Sequence, residues 1–371
     1  MNKIPFNIPF LTGEESLYLA DCINHNQFSG SGKYHTLLQN EFKTKYSFNH
    51  TFLTSSCTAA IELIALSIDL NPNDEIIFSS YTFPSTPTPF LQKGCKIVFA
   101  DCHSNIPCLT LESIKACITK KTKAVMLTHY GGMALDLDEI VAICKAHHIL
   151  LIEDAAQCID AYYKGKPLGT FGDFGVFSFH QTKNIQCGEG GLLVVNNEHF
   201  IDNIIQTYEN GTNRNAFLNN EVNYYEWVRL GLSFYMNEIS AAFLYPQVKV
   251  IKSVTKKRKE LWNTFHHSLK ENKAIELPKI SLIDPDFNAH VFYIICKDEA
   301  HRIAIKQQLT LNKIAAHNHF FPLHLSKFGK KLCNYSLPNT EKFGNCLLRL
   351  PLYYDLKIDD VKEVCEILNS I

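Results

Sequence analysis

Lys183 stands in the run Phe177-Ser178-Phe179-His180-Gln181-Thr182-Lys183-Asn184, and the glycine-rich Gly188-Glu189-Gly190-Gly191 follows it. Upstream, the apolar stretch Ile149-Leu150-Leu151-Ile152 ends in Glu153-Asp154-Ala155-Ala156-Gln157. A lysine forms an imine with an aldehyde only when its amine is neutral part of the time, a state that burial and nearby positive charge promote. A carboxylate against a pyridine nitrogen keeps that nitrogen protonated, so that the ring can store electrons. A lysine with a hydroxyl before it, glycines after it and an acid at the mouth of a strand suits a pyridoxal phosphate (PLP) Schiff base. Successive strand residues face opposite ways, so Glu153 and Asp154 cannot both face the ring. Asp154 is the candidate. Taken alone it would be a loop or capping carboxylate, and Lys183 a solvated surface residue; it is the combination that points to chemistry.

The cofactor phosphate needs backbone N–H groups and hydroxyls. Ser55-Ser56-Cys57-Thr58 directly precedes a helical run, and a helix N-terminus there would aim free N–H groups at an anion. The plainer reading is a serine N-cap. Ser178 can add a hydroxyl from the other side. Phe83, in Tyr81-Thr82-Phe83, can stack on the pyridine ring or simply belong to the core.

These residues need a frame. Between about 50 and 200, helical and strand patterns alternate. Thr58–Leu66 and Leu137–His147 have helical spacing, while Glu75–Phe78, Lys96–Ala100, Ala124–Leu127, Ile149–Ile152 and Leu192–Val195 are short apolar runs. That order predicts an α/β fold, a mostly parallel sheet covered by helices, with ligands at the C-terminal ends of its strands. A long helix is expected from about Glu238 through Lys256-Lys257-Arg258-Lys259, with that charge run on its solvated face. A strand at Val291–Ile295 and helices at His301–Leu311 and Ile358–Leu368 complete the pattern. We divide the chain into a large PLP-binding domain, 1–245, and a smaller C-terminal α/β domain, 246–371.

Composition sets the outer bounds. The chain has 371 residues, 46% hydrophobic and 20% charged, with net charge -1. Nothing in that balance argues for nucleic acid or an anionic membrane as partner. Pro5 and Pro9 interrupt the N-terminus, so no signal-peptide core is read there, and no apolar run is long enough to span a bilayer. A cytoplasmic enzyme is the expectation. The 13 cysteines contain no Cys-x-x-Cys pair, which argues against structural zinc. His317, His319 and His324 cluster without carboxylates, so substrate contact or structure is favoured over metal, and no metal is expected. Gly30-Ser31-Gly32-Lys33 lacks the spacing of a phosphate loop, and Gly169, Gly172 and Gly175 lack that of a dinucleotide fingerprint.

The motifs together resemble the DegT/DnrJ/EryC1/StrS sugar aminotransferases, a branch of the fold-type I PLP enzymes. The resemblance runs nearly end to end: Pro5-Phe6-Asn7 with Gly13-Glu14, Thr54-Ser55-Ser56-Cys57-Thr58-Ala59, Tyr81-Thr82-Phe83, His129-Tyr130-Gly131-Gly132, Glu153–Gln157, Ser178–Asn184 and Gly188–Gly191. It implies that Lys183 holds the cofactor aldehyde and moves the proton, that Asp154 pairs with the ring nitrogen, and that Gln157 lies near the ring hydroxyl. It further implies that Phe83 stacks on the ring while Ser56, the backbone of Cys57, and Ser178 hold the phosphate. Many members carry an asparagine where Ser233 stands, reaching the phosphate from the neighbouring subunit. The resemblance thus implies a homodimer with shared active sites, and puts Ser233 in that place.

Gly211–Arg214, Tyr224–Trp227 and Phe321–His324 are most similar to members that aminate C4 of dTDP-4-dehydro-6-deoxy-D-glucose. These use L-glutamate and give dTDP-4-amino-4,6-dideoxy-D-galactose and 2-oxoglutarate, for surface glycans such as lipopolysaccharide. Lys33, His180, Arg214 and His319 are candidate substrate contacts. The alternatives are a sibling aminotransferase acting on a 3-keto sugar or making the gluco product, and a PLP-dependent sugar dehydratase. Those dehydratases usually lack the lysine that Lys183 provides.

Overall fold

Five-residue apolar runs that are buried along their whole length belong in the middle of a sheet covered on both faces. The computed structural model, which describes residues 3–282 and 284–371, places them there. The strands are β1 (Thr51–Thr54), β2 (Glu75–Ser79), β3 (Lys96–Ala100), β4 (Thr122–Thr128), β5 (Leu150–Asp154), β6 (Phe174–Ser178) and β7 (Gly191–Val195). They form one seven-stranded sheet in the order β1-β7-β6-β5-β4-β2-β3. The pairs β2–β3, β2–β4, β4–β5 and β5–β6 are parallel. Strand β7 runs antiparallel to both β6 and β1. Because of this order, β4, β5 and β6 end at one edge of the sheet, as does β1, and β7 begins there.

Helix α1 (Lys33–Tyr46) follows the rejected phosphate loop, and α2 (Cys57–Ser67) follows β1. The amides of Gly32, Tyr34 and His35 at the start of α1 all donate to the buried carboxylate of Glu238. The chain's own acid thus fills the anion position at that helix end.

Glu238 also opens α3 (Glu238–Leu269). Ala241, Leu244, Val248 and Ile251 of this helix bury into the core beneath the large sheet. Leu261, Trp262, Phe265 and Leu269 bury into a second core, each contributing about 1.5–3 kcal/mol of burial. The second core is built on a three-stranded antiparallel sheet of β8 (Ile275–Glu276), β9 (Phe292–Cys296) and β10 (Leu347–Leu350), in that order. Residue 246, Pro246, lies inside α3. We propose that this helix belongs to both units and that the division of the chain runs through it.

The charge run on α3 departs from expectation at one residue. Arg258 is buried, and its guanidinium donates to the backbone carbonyls of Ala289 (3.1 Å), His290 (2.8 Å) and Leu352 (3.0 Å). Burial pulls its pKa down to about 9. Three carbonyls that would otherwise lack donors explain why a cation is tolerated there.

Candidate active site

A cavity of about 690 Å³ opens at the edge where these strand ends meet, within the size range of small-molecule sites. Its wall includes Thr128 at the end of β4 and His129 after it, Asp154 at the end of β5, Ser178 at the end of β6, and Ser56 and Cys57 after β1. Phe83, Gln157, His180, Lys183 and His319 also line it. Of the residues picked out from sequence, Lys33, Arg214 and Ser233 do not. Lys33 pairs with Asp21 at 2.6 Å on the outside of α1, and Arg214 lies 3.7 Å from Glu209. Ser233 is exposed on this chain's own surface, with its backbone bridged to Glu209.

Lys183 lies in the loop after β6, with its amide donating to the His180 carbonyl (2.9 Å). Burial lowers its pKa; Cys57 and Asp154 oppose that and Arg349 adds to it. The neutral amine that imine chemistry needs is therefore favoured. Asp154 accepts from Thr86 Oγ1 (3.1 Å) at one oxygen and from the Ala156 amide (3.2 Å) at the other. Burial raises its pKa, against those bonds and Lys183. A buried acid set to pair with a cation is what the ring nitrogen of PLP requires.

Its neighbour Glu153 faces the other way, as strand alternation requires. It takes the ring N–H of His129 (2.9 Å) and the amides of Gly169, Phe171 and Gly172. This carboxylate ties down the loop before β6 and fixes the cavity-lining His129. Gln157 accepts from the Gly131 amide (2.7 Å) through Oε1, which leaves its NH₂ as the free donor. Phe83 is 56% exposed and lies edge-on to Phe320, with ring centroids 6.3 Å apart.

At the phosphate end, Ser56 is the N-cap of α2, its Oγ accepting from the Ala59 amide (3.1 Å). Among the described residues, the amides of Cys57 and Thr58 have no partner. Gly191 presses against this turn: a Cβ there would lie 2.4 Å from the carbonyl of Ser56 and 2.5 Å from the amide of Cys57. Free amides, two serine hydroxyls and a glycine wall fit a phosphate. With Asp154 and Lys183 at the other end, the residues fit PLP.

Two contributors were not picked out from sequence. Thr86 ends a hydroxyl chain in which Thr128 donates to Thr82 (3.0 Å), Thr82 meets Thr86 (3.3 Å), and Thr86 donates to Asp154. Arg349, on β10, brings the cavity wall its one fixed cation besides Lys183 among the described residues. Its signal is a lone charge within Leu347-Leu348-Arg349-Leu350, an otherwise apolar strand. Arg349 also alters the role of His319. Arg349 Nη1 donates to His319 Nδ1 (2.8 Å), and burial together with Arg349 pushes His319 down to about 3. His319 is therefore a neutral acceptor that orients the arginine and supplies no charge for a diphosphate. His317 lines the cavity too, whereas His324 is held by Ser80 (2.7 Å) and Glu341 (3.3 Å) outside it.

Comparison with known proteins agrees with the fold. The chain belongs to the DegT/DnrJ/EryC1/StrS aminotransferase family, which matches residues 9–369. It is a PLP-dependent sugar aminotransferase of the α/β type described above. Spore coat polysaccharide biosynthesis protein SpsC of Bacillus subtilis is 29% identical, covering 99% of this chain and 97% of its own length. GDP-perosamine synthase of Vibrio cholerae is 28% identical, over 99% and 98%. The solved structure of Helicobacter pylori PseC, an aminotransferase involved in the biosynthesis of pseudoaminic acid, superposes with a TM-score of 0.91 at 22% identity, covering 98% of each chain.

Proposed function

We propose that this enzyme moves the amine of L-glutamate to C4 of a nucleotide-linked 4-keto-6-deoxyhexose, with dTDP-4-dehydro-6-deoxy-D-glucose as substrate. The products are then dTDP-4-amino-4,6-dideoxy-D-galactose and 2-oxoglutarate, and the activity is that of a dTDP-4-amino-4,6-dideoxygalactose transaminase in surface-glycan synthesis. The observation that carries the proposal is the placement of Lys183 and Asp154 in one cavity, with the free amides at the start of α2 also on its wall.

When bound, PLP supplies an aldehyde that accepts an amine and a ring that stores the electrons released at carbon. Ser56, Ser178 and the amides of Cys57 and Thr58 would hold its phosphate, Phe83 would cover its ring, and Gln157 would donate to its hydroxyl. Asp154 would keep the proton on its ring nitrogen. Lys183 Nζ removes the α-proton of L-glutamate in the first half of the reaction and delivers a proton to C4 of the sugar in the second. The wall around Lys183 excludes bulk water from that transfer.

We further propose a cytoplasmic homodimer. The 13 cysteines are all free, which suits a reducing compartment. Among the described residues, no helix is long and apolar enough to cross a membrane. Phe217, Leu218, Tyr224, Tyr225 and Trp227 are exposed apolar residues within one short stretch of chain, with Trp227 77% exposed. An unpartnered patch of that kind suits a second copy. The likeness to GDP-perosamine synthase favours a GDP-linked sugar as second reading.

The test is to offer glutamate with a panel of nucleotide-linked 3-keto and 4-keto sugars, and to read the product by mass spectrometry and its stereochemistry by NMR. The amine is expected on C4 of the dTDP sugar with galacto configuration. Lys183→Ala is expected to transfer no measurable amine, since a general acid–base lysine supplies roughly 10²–10⁴-fold in rate. Wild-type turnover in that variant would end the proposal.

A further inference from the structure

A hydroxyl has one proton to give, so a row of hydroxyls that ends on a carboxylate has a direction. Asp154 is buried, and in its charged form it can only accept. Thr86 Oγ1 lies 3.1 Å from its Oδ2 and spends its proton there. At the 3.3 Å contact between Thr86 and Thr82, Thr86 is therefore the acceptor and Thr82 the donor. Thr82 in turn accepts from Thr128 at 3.0 Å. Three O–H dipoles thus point the same way, toward one oxygen of Asp154, and each bond strengthens the next. Thr82 and Thr86 are buried, and all four residues line the cavity.

Thr82 and Thr86 also bracket Phe83. The turn closes on itself, the Thr86 amide donating to the Phe83 carbonyl (3.0 Å). Ser85 Oγ accepts from Thr58 Oγ1 (2.9 Å), in the first turn of α2. The turn that carries Phe83 is therefore fastened at the phosphate end through Ser85 and at the acid through Thr86.

We propose that Thr86 is a positioning residue for Asp154: with Thr82 and Thr128 behind it, it holds the carboxylate charged and oriented toward the ring nitrogen of PLP, and it keeps Phe83 over the same ring. The proposal rests on the reading of Asp154 as the partner of that nitrogen. Burial alone pushes the acid toward its neutral form; the Ala156 amide, Lys183, Thr86 and His129 oppose it. Cys57 and Cys158 also face Asp154, but burial keeps both thiols protonated.

The test compares Thr86→Val, which keeps the shape and removes the hydroxyl, with Thr86→Ser, which keeps the hydroxyl. In the holoenzyme, Thr86→Val should lower kcat/KM for L-glutamate and for the keto sugar by the same factor, because both halves of the reaction need the ring nitrogen. The expected factor is about tenfold, the loss of one hydrogen bond to a charged acceptor. Thr86→Ser should recover most of it. PLP titrated into the apoprotein should bind Thr86→Val about tenfold more weakly than wild type. 1-Deaza-PLP, which has C–H in place of the ring nitrogen, should bind both alike. In urea melts of the apoprotein, Thr86→Val should fall below wild type by a margin that widens as pH rises above 3.8 through the folded pKa of Asp154. If Thr86→Val does not fold, Thr82→Val carries the test. It removes only the donor behind Thr86, so its losses should be about threefold.

A fall in one half of the reaction only, an equal loss for 1-deaza-PLP, or a stability margin flat in pH would make Thr86 a packing residue and overturn the proposal. Equal binding of PLP and 1-deaza-PLP by wild type would overturn the reading of Asp154 itself, and needs neither variant to be seen. The titrations contain no sugar, so a wrong sugar assignment leaves them unchanged.

Discussion

Gly191→Ala is the most direct probe of the phosphate end of the site. The added Cβ would fall 2.4 Å from the Ser56 carbonyl and 2.5 Å from the Cys57 amide. Ordinary contact lies near 3.4 Å, so either β7 or the turn into α2 must recede by about 1 Å, a misplacement large enough to disable a binding geometry. The atoms that recede are those proposed to hold the phosphate. Loss of one charge-assisted hydrogen bond costs about 2 kcal/mol, or roughly 30-fold in Kd. Overpacking costs a further ~1–3 kcal/mol of stability.

The assay is fluorescence titration of the apoprotein with PLP, with urea unfolding in parallel. Pyridoxal, which lacks the phosphate, should lose far less affinity than PLP. Gly165→Ala is the control. Gly165 has φ +78° with nothing within 4 Å of a built Cβ, so alanine there strains the backbone by about 1–2 kcal/mol away from the cavity. It should lower stability and leave PLP affinity alone. If Gly191→Ala binds PLP within twofold of wild type while losing stability, the strand yields instead of the turn, and the role given to Gly191 fails.

Other outcomes follow from the same geometry. Burial raises the Asp154 pKa above 3.8, so the folded apoprotein holds that proton more tightly than the unfolded chain. Its contribution to stability falls as pH rises from 3.8 through the folded pKa. Asp154→Asn should therefore stabilise the apoprotein at neutral pH in urea melts, while lowering kcat by roughly 10²–10³-fold through loss of the ring's charge partner. Lys183 is depressed below 10.5 by burial, with Arg349 adding to the effect, so its neutral amine persists to lower pH than an ordinary lysine's. The midpoint of the pH curve for cofactor capture should lie below 10.5 and move upward in Arg349→Gln; a downward move would contradict the assigned sign. Arg258→Met should cost about 3 kcal/mol, because three backbone carbonyls lose their donor; a urea midpoint equal to wild type would show that water replaces it.

Much of the site can be read from sequence because PLP chemistry draws on contiguous runs. Lys183, Asp154 and Ser56 each end or follow a short apolar strand, and a parallel sheet carries such ends to one edge whatever the details of its helices. The family signal is strong for the same reason, since its motifs are the strand ends themselves. The strand at Leu347–Leu350 was not legible: it has four residues with a charge in its middle, and local propensity has no means of showing that the charge faces a cavity.

What the linear chain determined by itself was therefore the cofactor and the alternation of strand and helix, since each depends on neighbours within a few residues. Folding alone decided which cations matter. Lys33 and Arg214 look available in sequence but end on Asp21 and Glu209, off the cavity wall, Arg258 leaves a charged run for the interior, and Arg349 crosses from the second sheet to reach the cavity with Lys183. The reason is electrostatic: the effect of a charge depends on its depth and on the partner it meets, and the fold sets both.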